Sequence, residues 1–510
     1  MCKHSNRCKE RKKVLRVSEQ LSTSIMSPDG VAMGHWTFNP ALAHRELMMM
    51  IVLHELALSL VEYDGFRRFV SSLNPSFKMI CRKTVKEDCM KAFKEEKRNL
   101  RAMFKNAKSR FSLTSDLWTS NQTVGYICIT AHFIDEEWKP QKRIVKFAAM
   151  ETPHTGAAMF NVMVNSIREW NMEDNLFAVT LDNASNNGAM MKLLKSHLLL
   201  KKMLVGDGKL FHQRCAAHVI NLICQAGLDF LSPMISMIRD SVKFIRSSQT
   251  RKEKFDEIVG QLGVLCEKTP SLDVPTRWNS TYLMINIAKE YHGVFDSLAI
   301  QDKQYTYKPS FEDWENAEVV CKLLKAFYEA TNVISGTKYP TANLHFHEMW
   351  KVKLTLEQQH YEDESDMGIT VKYMKRKFKK YWQLSWLSLC ILVILDPQFK
   401  LKYLEFRFNT KFGNEAPAMI AKIKNMFHGL FKEYLQLNGN GSDPMSQGQG
   451  GDNDMDVTLD DPMSDWDKQV TLSAQSTNVD STELDSYLSK VSLRRSDQFN
   501  ILAWWQMNSA

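Results

Sequence analysis

No apolar run in this chain is long enough to cross a bilayer. The longest, Leu384 to Leu395, is about 12 residues, whereas a membrane-spanning helix needs ~20. A secretory leader is also lacking, because the opening "MCKHSNRCKERKKVLR" is basic and has no apolar centre. Paired cysteine spacing is missing too. The ten cysteines are scattered, which excludes a disulfide framework and suits reduced thiols in a cytosolic or nuclear protein. Nor are there internal repeats.

What is present is ordinary globular material, unevenly charged. The 510 residues are 44% hydrophobic and 24% charged, enough for two to four domains around a large core. The net charge of +8 conceals an asymmetry: residues 1–110 carry about +11 and residues 436–510 about −8. A basic front suits a partner that is a polyanion, although a solvated lysine-rich surface has the same composition.

Organisation follows from pattern. Residues 1–38 are basic and expected to be disordered. In residues 39–110, Asn39 and Pro40 open one helix and "TVKEDCMKAFKEEKRNLRAMFKNAKSR" makes a second, strongly charged one. From residue 111 the period shortens. "RFSLTSDLWTS", "VGYICITAHFID" and "KRIVKFAAME" read as strands, Thr155 caps a helix through Trp170, and "NLFAVTLDNASNN" holds a buried strand ending in a polar turn. Three strands, a helix and a strand predict an α/β fold with a mixed sheet over residues 111–272. Residues 273–437 read as all-helical and 438–480 as a disordered acidic linker. Residues 481–510 recover apolar content as a short helical piece with Trp504 and Trp505 near its end.

Candidate chemistry sits at the strand ends. Asp116 ends the first strand and Asp182 the fourth, so if those strands are neighbours both carboxylates reach one crevice. Paired hard oxygens suit Mg²⁺ or Mn²⁺, and such ions activate water against a phosphodiester. An aspartate at a strand end is also an ordinary turn residue. Cys215 and His218 stand three apart on an expected helix: half of a zinc set, or packed side chains on one face. In "DVPTRWNSTYLM", Arg277 can grip phosphate and Trp278 can stack on an unpaired base or anchor a domain junction. "KYMKRKFKKYW" offers bases interleaved with aromatics, which suits a nucleic-acid backbone or a snorkelling helix face.

Seven segments in order resemble the hAT-superfamily transposases, and among them the host-retained plant RICESLEEPER and DAYSLEEPER group. They are "SLTSDLWTS", "GYICITAHFID", "VTLDNASNN", "LFHQRCAAHVINLI", "RWNSTYLM", "SGTKYPTANL" and "LDPQFKLKYL". The resemblance runs from about residue 35 to the end. It implies a ribonuclease-H-like mixed-sheet core interrupted by a large all-α insertion domain, and DNA cleavage by two aspartates and a glutamate on divalent metal. Asp116 and Asp182 match the aspartates. Cys215 and His218 match a pair near the active centre, and Trp278 matches a residue associated with an extruded base. Full-length relatives open with a BED-type zinc finger that has no counterpart here. Their Trp-Trp segment begins a dimerisation region followed by the helix that bears the catalytic glutamate.

The expectation is therefore a nuclear, transposase-derived DNA-binding protein with two of three catalytic acids, metal weakly held, homodimerisation weak, and neither membrane nor small-molecule substrate. Glu483 matches no family position and is not expected to replace the third acid. Trp504 and Trp505 are expected to be left exposed. An active transposase with its third acid supplied elsewhere, a protein-interaction scaffold and a fragment of a longer gene model are the other readings.

Overall fold

The computed structural model describes residues 38–336, 339–359, 364–438, 483–496 and 499–508. The basic N-terminus and nearly all of the acidic stretch expected to be disordered lie outside these residues. The chain divides between Asn106 and Ala107 into two compact units.

In the first unit, α1 (Pro40–Leu53), α2 (Asp64–Leu73) and α3 (Arg82–Asn106) are helices. Asn39 caps α1 as its side chain suggests, accepting from the Leu42 amide at 3.1 Å. Leu47, Ile51, Val61 and Val85 form the unit's small core.

The second unit opens with a mixed sheet. β1 (Phe111–Thr119), β2 (Gly125–Ile134) and β3 (Pro140–Met150) form an antiparallel meander. α4 (Gly156–Glu169) then carries the chain to β4 (Leu176–Leu181), and α5 (Ser185–Leu200) carries it to β5 (His212–Arg214). The strand order is β3-β2-β1-β4-β5, with β4 parallel to β1 and to β5. β5 was not foreseen, because three residues are too few to show an alternation.

Alternation sorts the sheet's two faces. Phe111, Leu113, Ile127, Ile129, Ala131 and Phe133 are buried, as are Met159, Met163 and Ile167 of α4 and Met190, Leu194 and Leu198 of α5. Trp170, which ends α4, donates its indole N–H to the Val145 carbonyl of β3 and ties this layer to the sheet. On the other face Trp118, Tyr126 and Phe147 stack on one another, with ring centroids 5.5–6.0 Å apart. Phe147 is 61% exposed and Ile144 beside it 62%.

The remainder is helical: α6 (Ala216–Leu228), α7 (Ser232–Ile245), α8 (Gln249–Leu262), α9 (Trp278–Ala288), α10 (His292–Gln301), α11 (Phe311–Ile334), α12 (Ala342–Gln358), α13 (Asp366–Ile394), α14 (Lys400–Phe412) and α15 (Ala416–Asn438). One apolar cluster runs from Val205 through these helices to Leu484. The helical stretch Ala216–Ile245 is long and apolar enough to cross a membrane by composition. Ile220, Ile223, Ile238 and Val242 of this stretch lie in the core, which is what core helices require.

The last segment corrects an expectation. α16 (Glu483–Ser489) and α17 (Ile501–Asn508) dock on the corner between α13 and α14. Trp505 donates its indole N–H to the Leu395 carbonyl at 2.9 Å, and Tyr487 donates to Ile394 at 2.8 Å. Trp504 and Trp505 are half-buried and pack with the Tyr487 ring, rather than lying exposed. The motif "LDPQFKLKYL" explains this: Pro397 and Phe399 offer carbonyls to Leu493 and Ser492, and the Gln398 side chain accepts from the Ser496 amide.

Candidate active site

Asp116 and Asp182 end up side by side. β1 and β4 are paired through Thr114 and Thr180, and each aspartate lies two residues further along in the same direction. In a parallel pair that step keeps both side chains on one face, at the carboxyl end of β4, where open α/β sheets place their ligands; β1 runs on to Thr119, so Asp116 lies within its strand rather than ending it, because its pairing with β2 continues past the point where β4 stops. β5 adds a third member. Its register continues past Leu181 and Arg214, where the Cys215 amide donates to the Leu181 carbonyl at 2.8 Å, so Cys215 is next to Asp182.

The carboxylates are held differently. Asp182 Oδ1 accepts from the Ala184 amide at 2.8 Å and from Asn187 Nδ2 at 2.6 Å. Asn187 is buried in the first turn of α5, so "DNASNN" is a strand end, a turn and a helix start that clamps the acid. The Asn186 amide group donates to the His154 carbonyl, closing the turn against the loop before α4. Asp116 lies inside β1 opposite Cys128 and is exposed, and among the described residues no side chain hydrogen-bonds to it. Trp118, two residues on and 41% exposed, flanks it with the aromatic stack.

Cys215 precedes α6, and His218 lies in that helix's first turn. Burial raises the thiol's pKa and the negative charges of Asp116 and Asp182 raise it further, against the helix amides of Ala217 and His218. These effects favour the thiol form of Cys215 beside the acids. Among the described residues, no group of three or more His, Cys, Asp or Glu side chains is placed to share an ion. Glu483, in α16 at the α13–α14 corner, joins no such group. The two carboxylates nevertheless fit Mg²⁺, which keeps several waters and needs only one or two carboxylates alongside substrate phosphates.

The Arg277–Trp278 segment is anchored beside this region. Asp273 receives two hydrogen bonds from the Arg239 guanidinium, at 2.8 and 2.9 Å, and one from Thr281 at 2.7 Å. Burial raises the Asp273 pKa, but these donors outweigh it and the group stays below its ordinary value. Gln225 of α6 donates to the Pro275 carbonyl, and Asn221 accepts from the Trp278 amide. Asn221 is six residues from Cys215, about 9 Å along the helix axis. Arg277 is exposed at the start of α9. Trp278 is 3% exposed and packs against Tyr282 and Phe327, so its ring offers no free face for a base in this conformation. This packing is what the junction-anchor reading of its sequence context requires.

The chain resembles known families over most of its length. Residues 114–210 match the family model for the ZBED1 RNase-like domain, and residues 213–323 match the ZBED1 RNase-like helical domain. Residues 343–434, helical here, match the hAT-like transposase RNase-H fold. Over 91% of its length the chain is 36% identical to the zinc finger BED domain-containing protein RICESLEEPER 2 of Oryza sativa subsp. japonica, of which it covers 65%. It is 34% identical to DAYSLEEPER of Arabidopsis thaliana, with 92% of this chain and 66% of that protein covered. With RICESLEEPER 4 of Oryza sativa subsp. japonica it shares 31% identity over 91% of its own length and 71% of that protein. The chain spans a little under two thirds of the first two of these relatives. With the sheet, the paired aspartates and this extent of identity, the chain belongs to the RICESLEEPER and DAYSLEEPER group of hAT transposase-derived proteins.

Proposed function

We propose that this chain is a nuclear DNA-binding protein descended from a transposase, and that as it stands it binds DNA without cutting it. The juxtaposition of Asp116, within β1, and Asp182, just past β4, carries the reading, because two neighbouring carboxylates suit a divalent ion held against a phosphodiester. Asp116 and Asp182 would hold Mg²⁺ or Mn²⁺ weakly, and the bound ion would supply Lewis acidity toward a phosphate oxygen. Two carboxylates without a third described acid beside them favour binding over strand cleavage. Arg277, exposed on a loop pinned by Asp273, is suited to a phosphate contact. Cys215 and His218, at the start of α6 beside Asp182, would shape the approach of the DNA.

Homodimerisation is expected to be weak, since the docked tryptophan pair is spent on an internal corner. The test is incubation of the full chain with labelled terminal-repeat duplex and Mn²⁺. Salt-sensitive retention of intact DNA is expected. Nicking by wild type that vanishes in both Asp116→Ala and Asp182→Ala would overturn the non-cutting part of the proposal.

A further inference from the structure

We infer that the exposed face of α13, together with Arg214 at the end of β5, is a track for the phosphate backbone of duplex DNA beside the two aspartates; the inference rests on the DNA-binding reading and gives it a surface. α13 is a helix of nearly one sign. Asp366 in its first turn is its single acid, whereas "KYMKRKFKKYW" puts six cations into residues 372–380. Lys372, Arg376, Lys379 and Lys380 fall within about 100° of helical arc, and all four are exposed. The buried Val371, Met374, Phe378, Tyr381 and Trp382 lie on the other side of the helix.

These four charges are not spent inside the molecule. Arg376 lies over the Tyr373 ring and Lys380 over the Tyr381 ring, 4.8 and 5.6 Å from the ring centres, contacts that steady a cation without neutralising it. Among the described residues none of the four enters an ion pair. A merely solvated face interleaves the two signs, as α11 does where Lys322 and Lys325 pair with Glu318 and Glu329 one turn away.

Packing on α6 sets the course of the strip. Thr370 donates its hydroxyl to the Gly227 carbonyl at 3.4 Å, and the Tyr373 ring lies 4.4 Å from that of Phe230. The helices approach so closely here that a Cβ on Gly227 would come within 2.7 Å of the Met374 side chain. Eleven residues after Thr370, about 16 Å along the axis, Tyr381 is near enough to Arg214 to bear on its charge. α13 thus runs back along α6 toward Cys215, the residue beside Asp182. The Arg214 side chain is half-buried and has no hydrogen-bond or ion-pair partner among the described residues. Burial disfavours its charge, which an anion beside it would restore.

Continuity with the acid pair selects the occupant. A strand whose phosphodiester meets an ion on Asp116 and Asp182 carries its next phosphates past the neighbouring end of β5, one for every ~3.4 Å of axis. Arg214 stands at that end, paired with Leu181, and the α13 strip extends the line of charge by ~12 Å from Lys380 to Lys372. Single strands are held chiefly by bases stacking on exposed rings. Here Phe378, Tyr381 and Trp382 are buried and Tyr373 is taken by Phe230, so the face offers charge alone, which suits a duplex whose bases are already stacked. A membrane surface would need an apolar face, and the arc from Lys372 to Gln383 has no apolar member.

The test is fluorescence anisotropy of the full chain with a duplex of about 25 base pairs and arbitrary sequence, between about 50 and 200 mM salt. Four proteins are compared: wild type, the strip variant Arg376→Gln/Lys379→Gln/Lys380→Gln, Arg214→Gln, and the control Lys303→Gln/Lys322→Gln/Lys325→Gln, which removes equal charge elsewhere in the helical region. Circular dichroism checks that all four keep their fold. The strip variant should lose about 2 to 3 from the salt slope, at ~0.9 per phosphate contact, and about tenfold in affinity. Arg214→Gln should lose about 1 from the slope, and the control should stay close to wild type.

A folded strip variant that binds as the control does would overturn the track while leaving DNA binding by the chain intact. A wild-type slope in Arg214→Gln would detach the strip from the aspartates and overturn its course. Failure of wild type to bind any DNA would overturn both readings. Equal loss of binding to single-stranded and duplex DNA in the strip variant would refute the choice of duplex. Strip-dependent binding to phosphatidylserine vesicles with none to DNA would assign the face to a membrane surface instead.

Discussion

Lys400 offers a test of how the C-terminal segment is held. Its side chain is buried, at 2% exposure, and no carboxylate hydrogen-bonds to it among the described residues. Its ammonium donates to the Tyr487 carbonyl at 2.7 Å and the Lys490 carbonyl at 3.0 Å, and it lies 4.5 Å from the centre of the Tyr487 ring. Those carbonyls belong to the end of α16, where the helix dipole favours a cation. The Lys400 backbone has φ 56°, a left-handed conformation that costs a non-glycine residue ~1–2 kcal/mol and is kept where it turns the α13–α14 corner.

Burial lowers the Lys400 pKa from 10.5 to about 8, helped by the neighbouring charges of Lys490 and Lys402. Between pH 8 and 10.5 the unfolded chain holds a proton that the folded one has released. Stability therefore rises with pH across that window, by as much as about 3 kcal/mol at ~1.4 kcal/mol per pH unit. Lys400→Met keeps the stem and removes both the amine and this dependence. At pH 7 two opposing effects act. Losing two charge-assisted hydrogen bonds costs ~1.5–3 kcal/mol each, while relief from burying a cation returns about 3 kcal/mol. Global stability should thus shift by no more than about 3 kcal/mol.

The local effect is larger. Hydrogen exchange in residues 483–496 should accelerate at least tenfold in Lys400→Met, because two buried carbonyls lose their donor. Urea unfolding of both proteins from pH 7.5 to 10.5 isolates the lysine from other titrating groups. A constant difference between wild type and variant across that range, with unchanged exchange in the segment, would refute the reasoning.

Two further outcomes are expected. Asn187→Ala removes the 2.6 Å hydrogen bond that fixes Asp182 and should cost ~1–2 kcal/mol in thermal unfolding while weakening Mn²⁺ binding severalfold in a paramagnetic titration. His347 is held neutral by burial, aided by the nearby positive charge of Arg407, and its pKa falls from 6.5 to about 3. The unfolded state takes up its proton first on acidification. Stability should thus fall between pH 6.5 and 3 by up to about 5 kcal/mol, and much less in His347→Leu, as read by urea midpoints.

Legibility divided along the distance between partners. β1 to β4 and the Thr155 cap were readable because alternation and capping are local: the Thr155 hydroxyl accepts from the Ala158 amide three residues on. The neighbourhood of Asp116 and Asp182 was conditional on strand order, which a parallel pairing across an intervening helix settles only in three dimensions. The clamps were invisible. Arg239 meets Asp273 at 34 residues' separation, and Lys400 meets Tyr487 at 87. Both appear in the sequence as unremarkable charges, and only their burial reveals them. Trp278 was ambiguous for a related reason, since an indole suits a base and a core equally until its surroundings are known.

These long-range clamps bear on how the site is built. β4 and β5 end together at Leu181 and Arg214 while β1 runs on to Thr119, and the alignment of Asp116 with Asp182 depends only on backbone pairing within one sheet. The loop carrying Arg277 is a separate problem, because nothing in the sheet positions it. It is fixed to α6 by Asn221 and Gln225 and to α7 through the Asp273–Arg239 pair. Because Cys215, beside Asp182, is the residue that α6 starts from, one helix carries the position of the sheet's acidic edge to the cationic loop. A packed helix is stiff over the ~9 Å involved. A change in the helical region then moves Arg277 by loosening Trp278, Asp273 or the Asn221 and Gln225 hydrogen bonds.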